Sequence, residues 1–182
     1  MSLIDTTYFV RDCSLPTGAL NTITASIARY ERDILIQLLG YDLYKLVAAY
    51  NVSTSPQRIK DIVEGKEYEE GTYTGGTYHV KWNGLTNSDK VSILAYYVYI
   101  QYLKDKSLTF QNIGTVSATA ENGVVVSPAI LIQRVSSKLI NLAGFYGQDV
   151  YEPSLFNFLT KHESDYPEWV FNELRLDNAF GL

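Results

Sequence analysis

Between Ser88 and Lys106 the chain reads SDKVSILAYYVYIQYLKDK, and at helical spacing its apolar residues fall on nearly every side. Val91, Leu94, Ala95, Val98 and Tyr102 line one face, and Ile93, Tyr96, Tyr97, Ile100 and Leu103 line the opposite one. A helix apolar almost all round has to be covered from several directions. The pattern therefore predicts a central helix over about 88–105, capped by Asn87, Ser88 or Asp89, with Lys104 and Lys106 at its carbonyl end. Upstream, the stripe Ile23, Ile27, Tyr30, Ile34 and Leu38 predicts a helix from residue 21 or 22 to about 39, with Gly40 as its stop. A short helix from Asp42 turns Leu43, Leu46, Val47 and Tyr50 inward, and Ser55 with Pro56 opens a third carrying Ile59, Ile62 and Val63 as far as Gly65.

The pattern changes at Gly71. In GTYTGGTYHVKWNG, β-prone residues flank Gly75 and Gly76, which predicts a small β-hairpin over about 72–82; Glu67, Glu69 and Glu70 before it read as a hydrated acidic loop. Beyond the central helix, residues 107–127 are weakly polar and β-prone with turn signals at Gly114 and Asn122-Gly123, the pattern of a projecting hairpin or loop. Ser127-Pro128 opens a further helix with the stripe Leu131, Ile132, Val135, Leu139 and Leu142, and a short one starts near Ser154 with Leu155, Phe156, Phe158 and Leu159 inward. The prediction is one mainly α domain over 1–182: a helical bundle around a central helix, with a small β-hairpin and the 107–127 excursion. Residues 1–20 form an N-terminal arm in this scheme, and about 170–182 a docking tail whose apolar Phe180 and Leu182 need cover.

Composition narrows the function classes. Twenty acidic against 15 basic residues give a net charge of −5 without a Lys/Arg block, which argues against a dedicated duplex-binding surface. The longest unbroken apolar run, Ile93 to Ile100, is far short of the roughly 20 residues needed to span a bilayer, so no membrane partner is expected. A single cysteine, Cys13, excludes an internal disulfide and fits a reducing compartment, and the start MSLIDTTYFVRD lacks the basic-then-apolar pattern of a signal peptide. Tyrosine is abundant, 15 against 7 phenylalanines, and amphipathic rings are enriched at protein interfaces.

Reactive constellations are sparse. His79 and His162 have no second ligand at metal-binding spacing, and Cys13 has no histidine in its neighbourhood. GxSxG, GxxxxGK[ST] and GxGxxG do not occur. His162-Glu163-Ser164-Asp165 is the one dense polar cluster, and consecutive residues on a helix point in different directions, so it reads as a solvated helix end. Tyr96, Tyr97, Tyr99 and Tyr102 have the rings to stack on bases or sugars but lack the basic neighbours of such platforms. No catalytic, cofactor-binding or metal residue is assigned, no cofactor is expected, and the expectation is a protein that is not an enzyme.

Four stretches resemble the head-completion adaptors, or head-to-tail connectors, of tailed bacteriophages, as found in Bacteroidetes phages and prophages: IARYERDILIQLLGYDLYKLV, KWNGLTNSDKVSILAYYVYIQYLKD, ENGVVVSPAILIQRV and NAFGL. The resemblance implies a virion structural protein, made in the bacterial host cytoplasm, that forms a ring of about twelve copies under the portal. Such a ring extends the channel, lets packaged DNA pass without sequence-specific binding, and carries the next tail or stopper protein. Its interface candidates are Phe110, Ile113, Val124, Val125 and Val126 in the excursion, Tyr97 and Tyr99 on the central helix, and Phe180 and Leu182 in the tail. The hairpin is more β-rich than in the simplest helical adaptors. A non-catalytic interaction module acting as monomer or dimer is the alternative, and a small hydrolase built on His162, Glu163 or Asp165 comes last.

Overall fold

The computed structural model describes residues 2–15, 17–113, 128–144, 151–170 and 172. Helix α1 (Thr17–Ala48) is two helices end to end, because Gly40 leaves helical geometry at φ 75° and ψ 165°. The expected stop at Gly40 is therefore where the chain bends, while the helix begins at Thr17, a turn earlier than the stripe suggests. Helix α2 (Gln57–Glu64) follows Pro56, which stands at the N-cap and whose carbonyl accepts the first amide bonds of the helix from Ile59 and Lys60. Ile59, Ile62 and Val63 are buried, and so is Asp61, held by Gln57 Nε2 at 2.7 Å and Lys66 Nζ at 2.9 Å.

Strand β1 (Lys66–Tyr73) pairs antiparallel with β2 (Gly76–Trp82), from Lys66 opposite Trp82 to Tyr73 opposite Gly76, with a bulge between Glu69 and Gly71. The turn residues are therefore Thr74 and Gly75, and Glu67, Glu69 and Glu70 lie on a strand, not in a hydrated loop. Period-two alternation explains the correction. Glu67 and Glu69 face water while Tyr68 between them is buried, which is how a half-covered strand looks when its solvent face is acidic.

Helix α3 (Ile93–Ile113) starts five residues after the expected position and runs through 107–113, which the sequence assigns to a hairpin or loop. Asn87 does not cap it. Its side chain closes a turn of its own by accepting from Val91 N at 3.1 Å and donating to Val91 O at 2.6 Å. Ser92 is the cap: its Oγ accepts from Leu94 N at 3.2 Å and donates to Leu85 O at 2.6 Å. At the other end no glycine or proline intervenes before Gly114, so the helix has no reason to stop at Lys106. The remainder of the predicted excursion, 114–127, lies outside the described residues.

Helix α4 (Pro128–Ala143) buries Ile132, Val135, Leu139 and Ala143, and α5 (Leu155–Lys161) is capped by Ser154 Oγ accepting from Asn157 N at 3.2 Å. Helix α3 packs against α1 and against α4, the cover its all-round apolar pattern demands. The hairpin docks on α5 through an aromatic cluster: Trp82 stacks on Phe158 at 5.9 Å between centroids, and Tyr68 and Tyr166 tilt against the same ring at 5.9 and 6.0 Å.

One segment expected at the periphery belongs to the core. Residues 2–15 are no free arm, since Ile4, Tyr8, Phe9 and Cys13 are buried. The buried carboxylate of Glu31 accepts from Ser2 Oγ at 2.6 Å, Leu3 N at 2.8 Å and Ile4 N at 3.3 Å, while Asp12 is gripped by Arg134 and Lys138 of α4. Past α5, residues 166–170 strap over the Gly40 bend. There Leu38 O accepts from Trp169 Nε1 at 3.1 Å and Leu39 O from Val170 N at 3.5 Å, so carbonyls orphaned by the bend regain partners. Arg58 fixes the strap with a two-pronged bond to Glu168 at 2.7 and 2.8 Å.

Candidate functional site

Burial sorts the candidates on α3. Tyr96, Tyr99 and Tyr102 are 6, 4 and 7 % exposed and Tyr97 is half-buried. Burial pushes the Tyr96 hydroxyl up to about 12 and raises that of Tyr99. Tyr99 is thus a packing residue of the subunit and not a surface one, and the rings do not form an open platform for bases or sugars. The candidates Val124, Val125, Val126, Phe180 and Leu182 lie outside the described residues, as do the side chains of Phe110 and Ile113.

The reactive side chains are occupied structurally. His162 sits at the C-cap of α5 with Nδ1 3.0 Å from Phe158 O, its ring edge-on to Tyr68 at 4.6 Å and tilted on Phe158 at 4.7 Å. Glu163 and Asp165 are exposed in a short 3-10 turn, and Asp165 turns its carbonyl to Arg58 at 2.9 Å. The cluster does not converge on a cleft. Cys13 is fully buried and desolvation drives its thiol up to about 12, so at neutral pH it is protonated. Among the described residues no three His, Cys, Asp or Glu side chains gather as metal ligands, and no helix is long and apolar enough to cross a membrane.

Several surface features stand out. A groove of about 610 Å³ runs between the N-terminal segment and the 50–53 loop, lined by Leu3, Tyr8, Tyr50, Val52 and Glu64, with the Tyr50 hydroxyl donating to Glu64. A smaller cleft of about 230 Å³ gathers Arg11, Asn87, Asp89 and Glu152 over Trp82. Large apolar side chains also stand out to solvent: Ile130 and Ile140 at 60 and 41 % exposure on α4, Tyr41 and Val170 at 58 and 60 % beside the Gly40 bend, and singly Val10, Val52 and Tyr151. Tyr41 also carries the Lys45 ammonium 5.0 Å from its ring centroid. Of Ile130, Ile140, Tyr41 and Val170, only Val170 falls in a stretch singled out from the sequence, the tail of about 170–182; for the other three, exposure alone distinguishes them.

A model described as a family of unknown function, DUF6712, matches residues 35–178. The chain belongs to this family. The DUF6712 span takes in the Gly40 bend, the hairpin, the α3–α4 pair and the strap, and leaves most of the first half of α1 and the segment latched by Glu31 outside it. No curated protein and no solved structure matches the chain.

Proposed function

We propose that the protein is a virion structural protein, a head-to-tail connector adaptor that assembles into a ring under the portal, extends the DNA channel and presents a platform to the tail. The observation that carries this is the pair of exposed apolar surfaces on different elements. Helices α1 and α4 both pack on α3, and each turns large apolar side chains to solvent: Tyr41 beside Val170 at the bend of α1, Ile130 and Ile140 on α4. A ring is built from heterologous contacts, in which one patch meets a different patch on the next copy, and two distinct patches on one subunit meet that requirement. Because Tyr96, Tyr99 and Tyr102 are spent inside the subunit, the lateral contacts of this proposal pass to these flanks beside the half-buried Tyr97, with Phe180 and Leu182 kept as contacts for the portal.

The test is the mass of the particle by light scattering and electron microscopy, for the protein alone and with the portal protein of the same genome. A closed ring, formed alone or on the portal, is the expected result. A monomer or dimer under both conditions with no portal binding overturns the proposal. The second reading, an interaction module acting as monomer or dimer, draws on the groove between Tyr8, Tyr50 and Val52, and the same experiment separates the two.

A further inference from the structure

We infer that neighbouring copies in the ring join their β-hairpins edge to edge, the outer edge of β2 on one copy pairing antiparallel with the outer edge of β1 on the next. The inference rests on the ring reading above and gives it one further contact. In an antiparallel pair the backbone groups of successive residues point alternately towards the partner strand and away from it. Lys81 N donates outward, to Tyr151 O at 2.9 Å, and this fixes the alternation. Thr77, His79 and Lys81 on β2, with Thr72, Glu69 and Glu67 opposite them on β1, turn their backbone groups away from the hairpin. All of these residues are exposed. Among the described residues, only Tyr151 O at Lys81 and the Lys161 ammonium, 3.1 Å from Glu70 O, reach the two edges. An open strand edge is a template for another strand, and proteins blunt it with proline, lysine or a covering segment. From Gly76 to His79 the edge of β2 has none of these.

Charge chooses the partner. The exposed face of β1 carries Glu67 and Glu69, whereas β2 carries His79 and Lys81 and no acid. Pairing β1 with β1 of another copy sets carboxylates against carboxylates, which is destabilising, and pairing β2 with β2 leaves both β1 edges open. Head-to-tail pairing closes both edges of every copy and brings unlike charges together, and it is the heterologous kind of contact from which a ring is built. Tyr151 already occupies Lys81 N, so the incoming strand pairs beyond it. His79 then faces Glu67 of the next copy and Thr77 faces Glu69 of the next copy, with the Lys81 ammonium diagonal to that Glu67. Within each hairpin Glu67 stands opposite Lys81 and Glu69 opposite His79, so the alternation of charge runs on from copy to copy. The stacking of Trp82 on Phe158 holds the base of the hairpin to α5 and gives the edges a fixed position. Such a ladder is too short to hold two copies alone, and it works together with the apolar flanks on α1 and α4.

Disulfide cross-linking tests this on the full chain, under the conditions in which the ring forms, alone or on the portal. Glu67→Cys and His79→Cys are made as separate variants. A hydrogen-bonded antiparallel pair sets its Cα atoms about 5.5 Å apart, within disulfide range, and the native Cys13 is buried. After mild oxidation, rings assembled from the mixture are expected to yield a disulfide-linked dimer on a non-reducing gel, and rings of either variant alone to yield none. Thr77→Pro removes an outward N–H that has no place in the hairpin's own ladder, so the subunit is expected to unfold as the wild type does while ring assembly weakens by about tenfold. A ring of full mass without a cross-link in the mixture, or one that assembles undiminished with Thr77→Pro, overturns the inference and leaves the ring reading standing. A cross-link in either variant alone also overturns it, because like edges then meet. Absence of any ring with the portal present removes the ring reading, and the inference falls with it.

Discussion

At the scale of single residues, two carboxylates tie the ends of the chain to its middle. Glu31 is 5 % exposed and takes three donors from Ser2, Leu3 and Ile4. Truncating it leaves two backbone amides without an acceptor, and an unsatisfied buried donor costs about 1–3 kcal/mol. Glu31→Ala is accordingly expected to lower unfolding stability by about 2–3 kcal/mol in urea titrations, with the N-terminal residues the first to lose exchange protection. Glu168 behaves differently because pH reaches it. The Arg58 guanidinium holds its carboxyl down at about 2, below the roughly 4.3 of a free glutamate. A carboxylate with a depressed folded-state pKa contributes stability that is complete above the unfolded value and is lost as pH falls towards the folded one. The pair is partly exposed, so its worth at neutral pH is about 0.5–1 kcal/mol. Chemical denaturation of wild type and Glu168→Gln should show that gap at pH 7 and see it close between about pH 4 and 2.

At the scale of elements, the tightest constraint is where the exit of α2 crosses the exit of β2. Gly65 and Gly84 have φ of 97° and 83°, and a Cβ at Gly65 would lie 2.4 Å from Trp82 O, one at Gly84 2.6 Å from Val63 O. The crossing is cemented by Ile62 O, which accepts from Trp82 Nε1 and Leu85 N at 3.1 Å, and by Val63 O, which accepts from Thr86 N at 2.8 Å. Gly84→Ala meets backbone on three sides and is expected to destabilise by more than about 2 kcal/mol in thermal unfolding, whereas Gly18→Ala, with open space around it, should raise or leave the midpoint unchanged. This crossing was half legible in the sequence. Gly65 and Asn83-Gly84 read as stops and turns, yet nothing in one dimension says that two glycines nineteen residues apart touch. The same limit explains the other differences. The bend at Gly40, the openings of α2 at Ser55-Pro56 and of α5 near Ser154, and the stripe of α4 are local signals and were readable as such, although Pro56 and not Ser55 takes the N-cap. The start of α3 was not, because Asn87 and Ser92 are both capping residues and only the bond that Ser92 Oγ accepts from Leu94 N decides between them. Nor was the burial of residues 2–15, which depends on Glu31 waiting on a distant helix. Of the candidate surfaces, Tyr99 looked available because a helix apolar all round offers no hint of which face is covered.

At the scale of the whole molecule, two exposed apolar patches on different elements make a prediction that no single-site model shares. If one patch of each subunit meets the other patch of the next, a variant spoiled on α4 keeps a good partner surface at the bend, and the reverse holds for a variant spoiled at the bend. Ile130→Glu with Ile140→Glu removes the first, and Tyr41→Glu with Val170→Glu removes the second; all four side chains are exposed, so the subunit itself should fold. Burying a large apolar side chain in a contact is worth about 1.5–3 kcal/mol, so a charge at two such positions suffices to open it. Under conditions in which the wild type forms its ring, each variant alone is expected to stay monomeric by light scattering, and an equimolar mixture to stop at a heterodimer joined through the two intact faces. A same-patch, two-fold contact predicts otherwise: one variant would dimerise as wild type, the other would not, and mixing would add nothing. Rings from both variants would place the subunit contacts elsewhere on the surface.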